Sequence, residues 1–219
     1  MSTDPLPNVG NDLLRIHKVI TRALNVSIQN VQDANLAEGY QQGLMTYVRA
    51  LTIVLHSHHA SEDELAFPFW RTRLPAGPFD GLSEQHRQIV VYLEQIERWL
   101  GTGPAAWQAD ALRELIHTLT DLQTLWQTHI TLEEMTIGPE NSRHYLTPAE
   151  NEQLSKQLTE HSQANAKPSE LVMPFVVYNL SGADRAEFVK PLPPVVLQQL
   201  IPFAWKAAWA PMTPFLLTE

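Results

Sequence analysis

The segments His58-His59-Ala60-Ser61-Glu62-Asp63 and His129-Ile130-Thr131-Leu132-Glu133-Glu134 each place a glutamate four residues after a histidine and follow it with a second acid. Each is closed by a proline, Pro68 or Pro139, and the displacement is constant, since 129 − 58, 133 − 62 and 139 − 68 all equal 71. A fixed displacement at three landmarks marks an internal repeat. His17 and His86 track it, 86 − 17 being 69. The chain therefore reads as a two-helix unit used twice, with a histidine in each helix.

Helical periodicity supports this. Leu13, Ile16, Val19, Ile20 and Leu24 recur at three- and four-residue steps after a cap at Asn11 or Asp12, and His17 lies on that stripe. A second, longer helix is expected from about Leu36 or Tyr40 to Trp70, with Tyr47, Leu51, Leu55, His58, Glu62 and Leu65 sharing a face. Ser83 is expected to cap a third helix carrying His86, Ile89, Val90 and Leu93, ended by Gly101-Thr102-Gly103-Pro104. A fourth runs from about Ala105 to Ile137, with Trp126, His129 and Glu133 on its inner side. Gly138-Pro139 stops it, as Phe67-Pro68 marks the weaker end of its counterpart. Thr147-Pro148-Ala149-Glu150 is a capping box for a fifth helix to about Ala166. Eight of the sixteen prolines lie from Pro168 onward, where apolar residues such as Phe175, Val176, Phe188, Trp205 and Trp209 suggest short helices wrapped on the bundle. The expected organisation is a leader at 1–10, a four-helix bundle at 11–140, the fifth helix at 141–167 and a Pro-rich extension at 168–219.

A histidine and a glutamate at i and i+4 stand roughly 6 Å apart along the axis and about 40° around it, so both reach one metal pair. Two such helices, with one histidine from each of two others, would deliver His17, His58, Glu62, His86, His129 and Glu133 to the middle of a four-helix bundle. With both carboxylates bridging, each metal would take two imidazoles and two carboxylate oxygens and keep an open position. The chain has no cysteine, which removes thiolate nucleophiles, iron-sulfur clusters and Cys-type zinc sites. Nitrogen and oxygen donors suit iron, with zinc or manganese as substitutes. A lone histidine on an apolar face is ordinarily a core residue; four at equivalent places in a repeat, two with matched glutamates, are not.

The remaining polar residues read otherwise. His56 and His59, some 200° and 100° around the helix from His58, are expected at the surface or behind the ligands, and the repeat mate of His59 is Ile130. Asp63 and Glu134 are either acceptors that orient ligand imidazoles or members of a solvated face. Glu114-Leu115-Ile116-His117 occurs once where a ferritin-like site needs two copies, so it reads as surface. His144 and His161 have no evident partners, and Tyr47, Trp99 and Trp126 read as core aromatics rather than redox relays. No nucleotide loop, nucleophile elbow or zinc-protease motif is present. The net charge of −9 disfavours nucleic acid and anionic membrane as partners. With no signal segment or bilayer-length apolar run, a soluble, cytoplasmic protein is expected.

At the two His-x-x-x-Glu segments and the histidines that track them, Asn11 to Pro139 resembles the hemerythrin-like, or HHE cation-binding, family. The resemblance implies an all-α, up-down-up-down bundle around a non-haem centre of two iron ions with an oxo or hydroxo bridge. It implies a protein that binds or senses dioxygen, peroxide or nitric oxide. The oxygen carriers place a further histidine one turn after the third-helix histidine, where this chain has Val90, so one iron would lack a ligand and simple oxygen transport is disfavoured. Four histidines and two glutamates are nearer the iron-sulfur-repair proteins of nitrosative stress, although those carry a cysteine-bearing domain not found in this sequence. A catalase-like or oxidase-like enzyme remains an alternative. So does an interaction module with an empty or zinc-filled site, whose extension contacts a protein partner.

Overall fold

A computed structural model describes residues 8–32, 37–103 and 107–217, and among these every regular element is helical. Helix α1 (Val9–Val31) is capped by Asn8, whose side chain accepts the Asn11 N–H at 3.2 Å. It starts before the expected cap at Asn11 or Asp12. Val9 and Gly10 are buried because the entry is tied down: the Val9 N–H donates to Asn151 Oδ1, and a Cβ on Gly10 would meet the Gly138 carbonyl carbon at 2.5 Å.

Helix α2 (Glu38–Ser61) passes into a π-helical turn at Glu62–Ala66 and on into α3 (Phe67–Arg71). The expected start at Leu36 lies outside the described residues. Helicity runs on past the weaker end at Phe67-Pro68 to Arg71, one residue beyond the expected end at Trp70. The Phe67 N–H bonds back to the Glu62 carbonyl, five residues away. This widened turn takes up one extra residue, and Pro68 follows as an early residue of α3. Helix α4 (Phe79–Gly101) starts four residues before the expected cap Ser83 and buries Phe79 and Leu82. Helix α5 (Ala109–Ile137) follows; Ala105, its expected start, lies outside the described residues. Gly138 ends α5, and Pro139 at once opens a short helix, α6 (Pro139–Tyr145), that the sequence reading left out.

Helix α7 (Pro148–Asn165) has the expected box, with reciprocal bonds between Thr147 and Glu150. The extension folds as α8 (Ser169–Asn179), α9 (Gly182–Val189), a π-helical segment Val196–Ala204, α10 (Lys206–Trp209) and a 3-10 turn Ala210–Phe215. It packs on α1 and α2 and shares their core through Phe175, Trp209, Met212 and Phe215. The approach is close at Gly43, where a Cβ would sit 2.2 Å from the Pro211 carbonyl oxygen.

The four long helices pack in a ring, α1 on α2, α2 on α4, α4 on α5 and α5 on α1. A polar layer divides their interior into two apolar clusters, one holding Val19, Leu55, Ile89 and Trp126, the other Val9, Ala66, Leu82 and Ile137. Along α1 and α4 the chain runs from the second cluster to the first; along α2 and α5 it runs from the first to the second.

Candidate metal centre

The polar layer is where the sequence-predicted residues meet. His17 comes from α1, His58 from α2, Glu62 from the first residue of the π turn, His86 from α4, and His129 and Glu133 from α5, and all are buried. His129 and Glu133 are each 0% exposed. His17 Nε2 and His129 Nε2 lie 3.2 and 3.3 Å from Glu133 Oε2, and His58 Nε2 lies 3.2 Å from Glu62 Oε1. His86 Nε2 lies 3.5 Å from Glu62 Oε2 and 3.3 Å from His129 Nε2.

Close as these atoms are, most are not hydrogen-bonded. His17 Nε2, His58 Nε2, both ring nitrogens of His59 and all four carboxylate oxygens of Glu62 and Glu133 are buried without a partner. An unsatisfied buried polar atom costs about 1–3 kcal/mol, and eight of them in one polar layer are an arrangement that bound cations would satisfy. The outer nitrogens set the tautomers. Nδ1 of His17 faces Glu134 Oε1 at 2.8 Å, Nδ1 of His86 faces Asp63 Oδ2 at 2.9 Å, and Nδ1 of His129 faces Gln85 Oε1 at 3.1 Å. Each Nδ1–H donates outward to an acceptor, which leaves the Nε2 lone pair directed inward. Asp63 and Glu134 are thus the orienting acceptors of the two sequence alternatives, and Gln85 is a third that carries no spacing signal.

His59 departs from the sequence reading. It is 3% exposed and stacks on His86 with ring centroids 3.9 Å apart, with His129 at 5.3 Å. The physical reason lies in angular spacing. Glu62 is 40° around the helix from His58 and 60° from His59 on the other side, so the two imidazoles flank it. The signal was the i, i+3 relation of His59 to Glu62. Two sets of buried donors result, each with its atoms within 4.8 Å of one another: His59, Glu62, His86 and His129, and His17, His58, Glu62 and Glu133. Glu62 belongs to both.

The side chain of His56 is 37% exposed and pairs with Glu97. His117 pairs with Asp121 at the surface, while His161, expected to be without a partner, reaches Glu64 Oε2 at 2.9 Å. Trp126 is buried in the core and lies edge-on to His17, its indole N–H donating to Thr21.

Burial and the neighbouring imidazoles hold His58 and His59 well below the ordinary histidine value. Burial also depresses His129, while at His17 the contacts to Glu133 and Glu134 outweigh burial and raise it. Burial and the adjacent Glu133 push Glu62 well up; burial would raise Glu133 too, but His129 and His17 hold it well down. Two buried carboxylates thus oppose one another's ionisation, and a cation pair would relieve that repulsion.

The sequence profile of the hemerythrin HHE cation binding domain matches residues 9–140. The chain belongs to that hemerythrin family. No curated protein and no solved structure matches it. The match spans α1 to the first residues of α6, and so covers every residue of the hemerythrin-type donor cluster while leaving α7 to α10 outside.

Proposed function

We propose that this chain is a di-iron protein of hemerythrin type that binds or senses a small ligand, dioxygen, peroxide or nitric oxide. The observation that carries the reading is Glu62, common to two sets of donors whose inward atoms have no other partner. His59, His86 and His129 would hold one ion and His17 and His58 the other, with Glu62 and Glu133 bridging. His59 supplies the third imidazole that Val90 does not. When bound, the metal pair supplies an open position for a diatomic ligand and the redox chemistry that nitrogen and oxygen donors permit to iron. The residues themselves hold and orient: Glu134, Asp63 and Gln85 fix the rings, and Trp126 and Phe67 keep bulk water away. The alternating order of the two apolar clusters along successive helices supports an up-down-up-down bundle.

No helix among the described residues is long and apolar enough to cross a membrane, and the reading is of a cytoplasmic protein without a nucleic-acid partner. A second reading, catalase-like or oxidase-like turnover, is favoured by a cavity that reaches His58 and Glu62. Anaerobic ferrous loading, metal analysis and visible spectra before and after each small ligand test both. Two irons per chain, spectra that change with ligand, and loss of the pair in Glu62→Ala are expected. Retention of both irons in Glu62→Ala overturns the bridge. Failure to take up iron overturns the whole reading, and steady oxygen release from peroxide favours the enzyme.

A further inference from the structure

A cavity of about 330 Å³ lies between α1, α2, α7, α8 and α9, within the range of small-molecule sites, roughly 300–1,000 Å³. The last three helices lie beyond the matched residues 9–140, so the chamber exists because the carboxy-terminal part folds back on the bundle. Its walls are largely apolar, with Ile16, Val54, Leu158, Met173, Val176 and Phe188 from five elements. His58 and Glu62 line it, whereas His59, His86 and His129 do not. It therefore opens on the donor set that has two imidazoles rather than three.

Two details define what would fit. Ser57 also lines the chamber, and its Oγ is buried without a hydrogen-bond partner. A hydroxyl on a helix usually bonds back to the carbonyl of the preceding turn, as Thr120 and Thr124 do here. Ser57 does not, and is left to meet a polar atom in the chamber. Apart from Glu62, the charged side chains of the lining are Asp12, Arg15 and Glu187. Arg15 is paired with Asp12, which also accepts from Ser155 Oγ at 3.0 Å. The one basic group among the described lining residues is thus neutralised and Glu187 leaves an acidic excess, which disfavours an anionic head group.

We propose that the chamber binds an uncharged, mainly aliphatic organic molecule bearing one hydroxyl or carbonyl group. The polar end meets Ser57 beside His58 and Glu62, and the chain lies along Val172, Met173 and Val176 of α8. The site stands on the chamber's own geometry and does not require the metal reading.

Calorimetric titration of the full chain with decanol tests it, with decanoate as the anionic arm. Val176→Phe and Met173→Trp fill the chamber from one wall; the half-buried Met173 keeps the test usable should Val176→Phe not fold, which circular dichroism reports. Saturable binding of one decanol per chain is expected, weakened about tenfold or more in the filling variants and roughly threefold to tenfold in Ser57→Ala, with decanoate weaker than decanol. No saturable binding, unchanged affinity in the folded filling variants, or tighter binding of decanoate overturns the proposal. Decanol binding by a chain that takes up no iron would sink the proposed function and leave this site standing.

Discussion

Asp63 shows how much of the centre depends on side chains that would never touch a metal. Its carboxylate accepts from His86 Nδ1 at 2.9 Å and from Ser83 Oγ at 2.6 Å. Burial works against its charge, but these two bonds outweigh it and hold its carboxyl below the ordinary range. The same contact directs His86 Nε2 inward. Asp63→Ala should lower metal affinity about 10–100-fold while leaving the helical content unchanged, as a competition titration with a chelator would show. An unchanged affinity would mean that Phe67, stacked on His86 at 5.3 Å, orients the ring by itself. At this scale the repeat makes six residues of the buried cluster legible, because His58, Glu62, His129 and Glu133 have mates 71 residues apart and His17 and His86 follow. The same logic concealed His59: its mate is Ile130, and a rule that requires symmetry cannot find a residue that breaks it. Gln85 was invisible for a different reason, since a neutral amide has no characteristic spacing.

Helix boundaries were less legible than helix faces. Helices α1 and α4 start earlier than their capping residues suggest, because the residues that fix them are tertiary contacts: Val9 bonded to Asn151, Phe79 sunk in the second cluster. Phe67-Pro68 reads as a weak end because a proline ordinarily costs a helix its bond to the residue four before, and nothing in the sequence announces the π turn that accommodates it. The consequence is visible in Phe67. One extra residue in the turn brings it about 100° back toward the core, where it stacks on His86. Helix α7, by contrast, is legible at its start because its capping box is local. Glu150 there accepts from Thr147 and from Arg73, and its carboxyl is held down to about 2. A folded value below the unfolded 4.5 stabilises the protein fully above pH 4.5, and that contribution is lost as pH falls toward 2. The thermal midpoint of the wild type should therefore fall more steeply across this window than that of Glu150→Gln; parallel curves would assign the shift no role in stability.

Over the whole molecule, the extension is joined to the bundle through Arg22. One guanidinium nitrogen bonds the Tyr47 hydroxyl at 3.1 Å, the Phe215 carbonyl at 2.9 Å and Asn179, and the Tyr47 hydroxyl donates to Asn179 Oδ1 at 2.6 Å. α1, α2, α8 and the final turn thus meet at one charge. Arg22→Leu should cost roughly 2–3 kcal/mol, because bonds to a charged donor are lost and the acceptors are left without it; a urea titration that shows no change in midpoint would contradict this. The sequence indicated that the extension packs on the bundle, from its apolar residues, but not what lies beneath it, since a cavity is a property of shapes that meet and leaves no pattern in either partner. The π turn and His59 bear on the arrangement as a whole. A unit used twice would offer an arriving molecule two interchangeable approaches. Here one copy winds a π turn and carries a second imidazole, and the other does neither, so the centre has a crowded back and a sparser front. The chamber built by the extension lies against the front. The doubling is a property of the sequence, and under the proposed function the side from which a small ligand would arrive is the side where the doubling fails and the extension builds the chamber.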